Sequence, residues 1–294
     1  RRRSCSIAAF ASEKNPMAKA KTAYVCGDCG SEYAKWQGQC GDCGAWNTLS
    51  EVRLGGGSPS RRAGGGRQQG YAGVLAPART LRDIDVAEVE RIGTGMTELD
   101  RVLGGGLVPG SAILMGGSPG AGKSTLLLQA CCHPATTMAA LYVTGEESPQ
   151  QVALRAQRLA LPTDRLKLLA ETNVEAILAA IDEHQPRLLV VDSIQVVYSE
   201  ELTSAPGSVS QVRECAAALT RAAKQRGTVL LLVGHVTKDG SLAGPKVLEH
   251  MIDCSILLES SDDQRFRTLR GQKNRFGAVN ELGIKDIRWF PSAS

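Results

Sequence analysis

Gly117-Ser118-Pro119-Gly120-Ala121-Gly122-Lys123-Ser124-Thr125 contains the pattern G-x-x-x-x-G-K-[ST]. An apolar run at 111–115 precedes it and a helix-forming stretch from Lys123 follows, which is the strand–loop–helix setting of a phosphate loop. Glycines there let backbone N–H groups wrap phosphates, and the helix N-terminus adds its dipole. On this reading the nine residues cradle ATP, with Lys123 reaching the β- and γ-phosphates and the Ser124 hydroxyl ligating Mg²⁺.

Outward from the loop, apolar runs alternate with helical stretches, as in βαβ units on a mostly parallel sheet. The pattern predicts buried strands at 111–115, 140–143, 166–169, 188–192, 229–233 and 254–259, and helices at 123–132, 149–159, 174–184 and 210–225. Residues 265–274 alternate Arg with apolar side chains and read as an edge strand. The fold class is therefore α/β, a P-loop NTPase core.

Three positions in this core carry candidate chemistry. Leu188-Leu-Val-Val-Asp192 is an apolar strand ending in an acid, about 70 residues after the loop. That is the Walker B position, where Asp192 holds Mg²⁺ directly or through water. Glu146 and Glu147 follow the strand at 140–143, on the sheet edge where ligands bind in open α/β sheets. A carboxylate there orients the attacking water, and Glu146 is the preferred base. Ser148-Pro149 reads as an N-cap with a first-turn proline, so a glutamate at this point also suits a helix start. His235 closes the run 229–233 and precedes a Gly- and Lys-containing loop at 237–246. It is a candidate γ-phosphate sensor, although a lone His is more often structural.

Upstream lies a second motif. Cys26-Gly-Asp-Cys29 and Cys40-Gly-Asp-Cys43 are two C-x-x-C turns separated by ten residues. Each turn aims two thiolates at one point, and together they complete a tetrahedral S₄ site suited to Zn²⁺, with iron the main rival. Four protein ligands leave no open position, so the site is structural, and metal binding supplies the stability that so small a segment lacks. Trp36 and Trp46 flank the second turn; covering the knuckle is the plainer role, stacking on bases the sharper one.

Length and composition agree. The 294 residues suffice for two domains, at about 100–200 residues each. Aromatics are scarce at 4% and Gly is abundant at 32 residues, which favours an Ala/Leu/Val core with tight turns. No uncharged apolar run approaches the ~18 residues of a membrane-spanning helix. Nine cysteines in a chain of this length do not form a secreted disulfide scaffold. Residues 1–82 hold 13 Lys and Arg against 5 Asp and Glu, so a basic arm precedes a mildly acidic body. Such an arm suits a polyanion, though basic tails are often merely solvated. The expected organisation is a disordered extension at 1–23, with Met17 as the start, a four-Cys finger at 24–52 and a flexible basic linker at 53–80. The ATPase domain follows at 81–284 and a divergent tail at 285–294.

With the finger, the phosphate loop, Tyr142-Val-Thr-Gly-Glu-Glu-Ser148 and Lys273-Asn-Arg-Phe-Gly277 in hand, the chain resembles the bacterial RadA (Sms) DNA-repair family over about residues 20–284. The resemblance implies a RecA-like ATPase core, homo-hexameric rings on single-stranded and branched DNA, and a cytoplasmic protein working beside the RecA recombinase. It implies processing of branched recombination intermediates and branch migration by helicase-like translocation. It also places Lys273 and Arg275 near the ATP of a neighbouring subunit or near DNA; their alternation alone would equally suit a solvated edge. The family continues into a Lon-protease-like domain that residues 1–294 do not include. Its first core helix runs further than Cys131-Cys-His-Pro134 suggests here, so the helix is expected to stop at Cys132.

A DNA-dependent ATPase motor is the leading reading. The alternative is an adaptor in which ATP only switches a zinc-finger scaffold that binds DNA or RecA. Glu146 with Asp192 favours hydrolysis, because a pure switch needs no water-orienting carboxylate. A clock-type signalling ATPase would share the core and paired glutamates, but the finger and basic linker argue against it.

Overall fold

The computed structural model describes residues 21–26, 31–42, 44–54, 80, 82, 90–234, 248, 250–260, 266–279 and 281–286. Cys29, Cys43, His235, the loop at 237–246, most of the linker and the expected N-terminal extension up to residue 20 lie outside them, as does 287–294. The chain divides into two compact units, Arg1–Ala63 and Gly64–Ser294, with the division inside the expected linker.

The first unit is a three-stranded antiparallel sheet of β1 (Lys21–Cys26), β2 (Glu32–Tyr33) and β3 (Leu49–Leu54), ordered β2-β1-β3. Strand β1 pairs with β3 from Lys21↔Leu54 to Cys26↔Leu49. Its apolar centre is small: Cys26, Cys40 and Leu49, with Tyr24 and Tyr33 packed against them.

The second unit opens with α1 (Thr97–Val102), β4 (Ala112–Gly117), α2 (Lys123–Ala135), β5 (Ala140–Thr144) and α3 (Pro149–Arg158). It continues through β6 (Leu166–Ala170), α4 (Val174–His184), β7 (Leu188–Asp192), α5 (Val209–Arg226) and β8 (Val229–Val233). It closes on β9 (Cys254–Ser260), β10 (Phe266–Asn274) and β11 (Leu282–Asp286). The eight strands lie in the order β11-β10-β9-β4-β8-β7-β5-β6. From β9 to β6 every pairing is parallel, while β10 and β11 are antiparallel.

Strands β4, β5, β7 and β8 are buried at every position, which explains their unbroken apolar runs: helices cover both faces. One face packs Ile113 and Met115 against α1, α2 and α3; the other packs Leu114 and Leu230 against α4 and α5. Cys131, Cys132, Cys215 and Cys254 sit within these layers, where burial pushes the last two thiols up to about 12. They are apolar filling rather than reactive groups.

Two expectations need correction. Strand β10 is not an edge, because β11 pairs along it from Phe266↔Asp286 to Arg270↔Leu282 and takes the edge itself. Helix α2 does not stop at Cys132 but runs to Ala135, with Pro134 buried in its last turn. Proline there forgoes one backbone bond, and Thr136 and Thr137 close the end onto the carbonyls of His133 and Pro134.

Candidate active site

Strand β4 delivers the phosphate loop at its C-terminal end. A Cβ on Gly117 would stand 2.6 Å from the Leu258 carbonyl oxygen of β9, so only glycine permits that approach. Gly122 caps α2 in the left-handed region, φ 96°. Lys123, the first residue of α2, folds over the loop: its Nζ donates to the Gly117 and Ser118 carbonyls at 2.8 and 3.0 Å. Burial lowers its pKa, opposed by the charges of Asp192 and Glu146. Arg267 of β10 braces the loop from outside, its Nε donating to the Ala121 carbonyl at 3.2 Å.

Asp192 ends β7, buried beside the loop. The hydroxyl of Tyr142, itself fully buried on β5, donates to its Oδ2 at 2.6 Å. Ser124 hydrogen-bonds the same carboxylate. Burial raises the Asp192 pKa, and these two hydrogen bonds work against that rise. A desolvated carboxylate bonded to a loop hydroxyl is the oxygen donor set that Mg²⁺ takes beside a nucleotide, so the residues fit that ion.

Glu146 and Glu147 lie in the turn between β5 and α3, before the helix begins. Ser148 is the N-cap, its Oγ accepting from the Gln151 amide at 3.3 Å while Gln151 Oε1 accepts from the Ser148 amide at 2.8 Å. Glu146 accepts from the Ser193 hydroxyl, on the residue after Asp192. Glu147 forms a two-pronged pair with Arg155 of α3, at 2.7 and 2.5 Å. Pro119, Gly120, Gly122, Lys123, Ser124 and Thr125 from the loop, both glutamates, Asp192, Arg155 and Val233 enclose a cavity of about 360 Å³. Gly117, Ser118 and Ala121 stand behind it, holding Lys123 and the loop in shape.

Arg155 and Tyr142 were not legible as site residues. Arg155 lies eight residues past Glu147 in no motif, and Tyr142 reads as one more core aromatic. Lys273 and Arg275 are not brought to this cavity. Lys273 Nζ donates to the Ile252 carbonyl at 2.8 Å, and Arg275 Nη1 pairs with Asp253 Oδ1 at 3.0 Å. Asp253 also accepts from the amide of Ala112, the first residue of β4, and from Lys224. Both cations therefore sit at the opposite end of β4 from the loop, roughly 17 Å away at ~3.3 Å per residue.

In the first unit, Cys26 and Cys40 are both buried. The Cys26 amide donates to the Ser31 carbonyl at 3.0 Å, and the Cys40 amide to that of Ala45 at 2.8 Å. Two buried soft donors with matching backbone hydrogen bonds fit a thiophilic metal. Tyr33 covers this spot, its hydroxyl 3.3 Å from Cys40 Sγ. Trp36 and Trp46 remain 56% and 69% exposed, with both rings close to Gly38.

A family model of the AAA domain matches residues 77–241, and one of a rubredoxin metal binding domain matches 24–51. The chain is 62% identical over 270 residues to the DNA repair protein RadA of Haemophilus influenzae, covering 91% of this chain and 58% of that protein. It is 61% identical to the protein of the same name from Escherichia coli, at 91% and 58% coverage, and 47% identical to that from Bacillus subtilis, at 92% and 59%. The chain thus spans under three-fifths of the length of these curated relatives. Its phosphate-loop sheet, paired-cysteine sheet and extended similarity place it among the AAA-domain proteins, and it belongs to the RadA family.

Proposed function

We propose that this chain is the ATP-hydrolysing part of a DNA-dependent motor of recombinational repair. The observation that carries the reading is the convergence of Lys123, Ser124, Asp192 and Glu146 on one cavity at the C-terminal edge of the sheet. Lys123 binds the β- and γ-phosphates, and the loop amides hold the chain of phosphates in line. Ser124 and Asp192 hold Mg²⁺, which when bound offsets phosphate charge. Glu146, oriented by Ser193, positions the attacking water. The paired-cysteine unit holds Zn²⁺ through Cys26, Cys29, Cys40 and Cys43 as a structural centre.

Relatives named as DNA repair proteins support a task in DNA repair; within this reading the substrate is single-stranded and branched DNA, RecA recombinase is a partner and branch migration is the task. In the same reading the working form is a cytoplasmic homo-hexamer. Lys273 and Arg275, remote from their own chain's cavity, then serve a neighbouring subunit or DNA. Among the described residues no helix is long and apolar enough to cross a membrane.

ATP hydrolysis measured with and without single-stranded DNA, on this chain and on Lys123→Ala, tests the reading. The expected result is DNA-stimulated turnover that falls by roughly 100-fold or more in the variant. Binding of both ATP and DNA without turnover would instead make the chain an ATP-switched adaptor.

A further inference from the structure

The site holds two adjacent glutamates; Glu146 is the preferred base, but sequence position does not say what sets the two apart. We propose that Arg155 is a positioning residue that settles this: by clamping Glu147 in a two-pronged ion pair, it withdraws that carboxylate and leaves the water-orienting task to Glu146. The proposal rests on the reading that this cavity hydrolyses ATP.

The two glutamates are held in different ways. Glu147 meets two guanidinium nitrogens of Arg155 at 2.7 and 2.5 Å, the parallel geometry that a planar fork gives and an ammonium does not. Its backbone is pinned as well. The Thr144 hydroxyl donates to the Glu147 carbonyl at 2.8 Å and accepts from the Glu147 amide at 3.2 Å. Glu146 is tied to the other side of the cavity, through Ser193 next to Asp192. One carboxylate is thus fixed to α3 and the other to the end of β7.

Charge points the same way. The described cavity lining carries Asp192, Glu146 and Glu147 against Lys123 and Arg155. A nucleoside triphosphate adds further negative charge. Without Arg155, Glu147 would present an unscreened carboxylate to it, next to Glu146 and beside the Mg²⁺ position. Arg155 is itself well buried, with 18% of its side chain exposed. The ion pair is not needed to start α3, because Ser148 and Gln151 already cap that helix reciprocally. The fork therefore stands where it serves the cavity rather than the helix.

The test compares wild type, Arg155→Gln, Arg155→Lys and the double variant Glu147→Gln/Arg155→Gln. Steady-state ATP hydrolysis is measured alongside affinity for a fluorescent ADP analogue. Arg155→Gln is expected to lower kcat by about tenfold or more while ADP affinity stays within about threefold. Arg155→Lys should recover little, since an ammonium does not supply the fork. The double variant should turn over about tenfold faster than Arg155→Gln, because removing the Glu147 charge removes what Arg155 screened. A pair that merely braces the fold would show no such rescue. Wild-type kcat in Arg155→Gln, a double variant no faster than the single, or ADP affinity falling as far as kcat would each overturn the proposal. Wild-type turnover that Lys123→Ala abolishes keeps the ATPase reading standing independently. Its absence would remove that reading and this one together.

Discussion

The two units of the chain solve the problem of stability differently. The phosphate-loop unit buries both faces of its central strands β4, β5, β7 and β8 beneath the described helices, and its apolar layers are continuous on each side. The cysteine-bearing unit has three short strands around Cys26, Cys40 and Leu49. Two of those three residues are also the proposed metal ligands. The phosphate-loop unit draws its stability from burying surface, whereas the cysteine-bearing unit has its core and its proposed metal site in the same place.

The largest effect that can break this contrast is metal removal. Chelation should abolish hydrogen-exchange protection in β1 and β3, since structural zinc contributes on the order of 10–16 kcal/mol in small domains. The thermal midpoint of the ATPase unit should not move; a shared shift would mean that the two units are not independent. Leu127→Ala should act in reverse. Leu127 is fully buried on α2, and its truncation should cost the ATPase unit about 2–5 kcal/mol by urea denaturation. Metal content, read by atomic emission, should stay the same.

The smallest effect sharpens the contrast within the ATPase unit, where the site opposes the fold. Burial holds the Asp192 pKa above its usual value, so the folded chain binds that proton more tightly than the unfolded chain does. Stability from this group is therefore present at low pH and falls as pH rises through the window above the ordinary carboxylate range. Asp192→Asn should raise the nucleotide-free thermal midpoint at neutral pH, while removing hydrolysis. The gain should vanish as pH falls to where the wild-type carboxyl is protonated. A lower midpoint at neutral pH would show that the carboxylate stabilises the site.

Local rules made much of this legible. The strand at 188–192 and the helix at 174–184 stand where apolar periodicity places them, because each is set by its own burial pattern. Spacing likewise gathered Lys123, Ser124, Glu146 and Asp192, since the phosphate loop and strand ends fix them locally. What escaped depends on contacts distant in sequence. Strand β8 lies between β4 and β7, an order that no local pattern announces. Strand β11 covers β10, although Leu282-Gly-Ile-Lys-Asp is too short to read as a strand by itself. Arg155 is the local exception: it lies only eight residues past Glu147, but no motif marks it as the partner of that carboxylate. Lys273 and Arg275 belong to a motif, yet Asp253 holds the arginine at the far end of the sheet.

The position of β4 also bears on how the protein is made. Its partners are β8 and β9, and its first residue is tied to Asp253, 141 positions later in the chain. During synthesis the strand that carries the phosphate loop therefore has no neighbour to pair with until well over half of the ATPase unit has left the ribosome. Closing so long a span is slow and costs chain entropy. The nascent loop accordingly gains its strand partners late, and within this unit the nucleotide site forms after β5 and β7 rather than ahead of them.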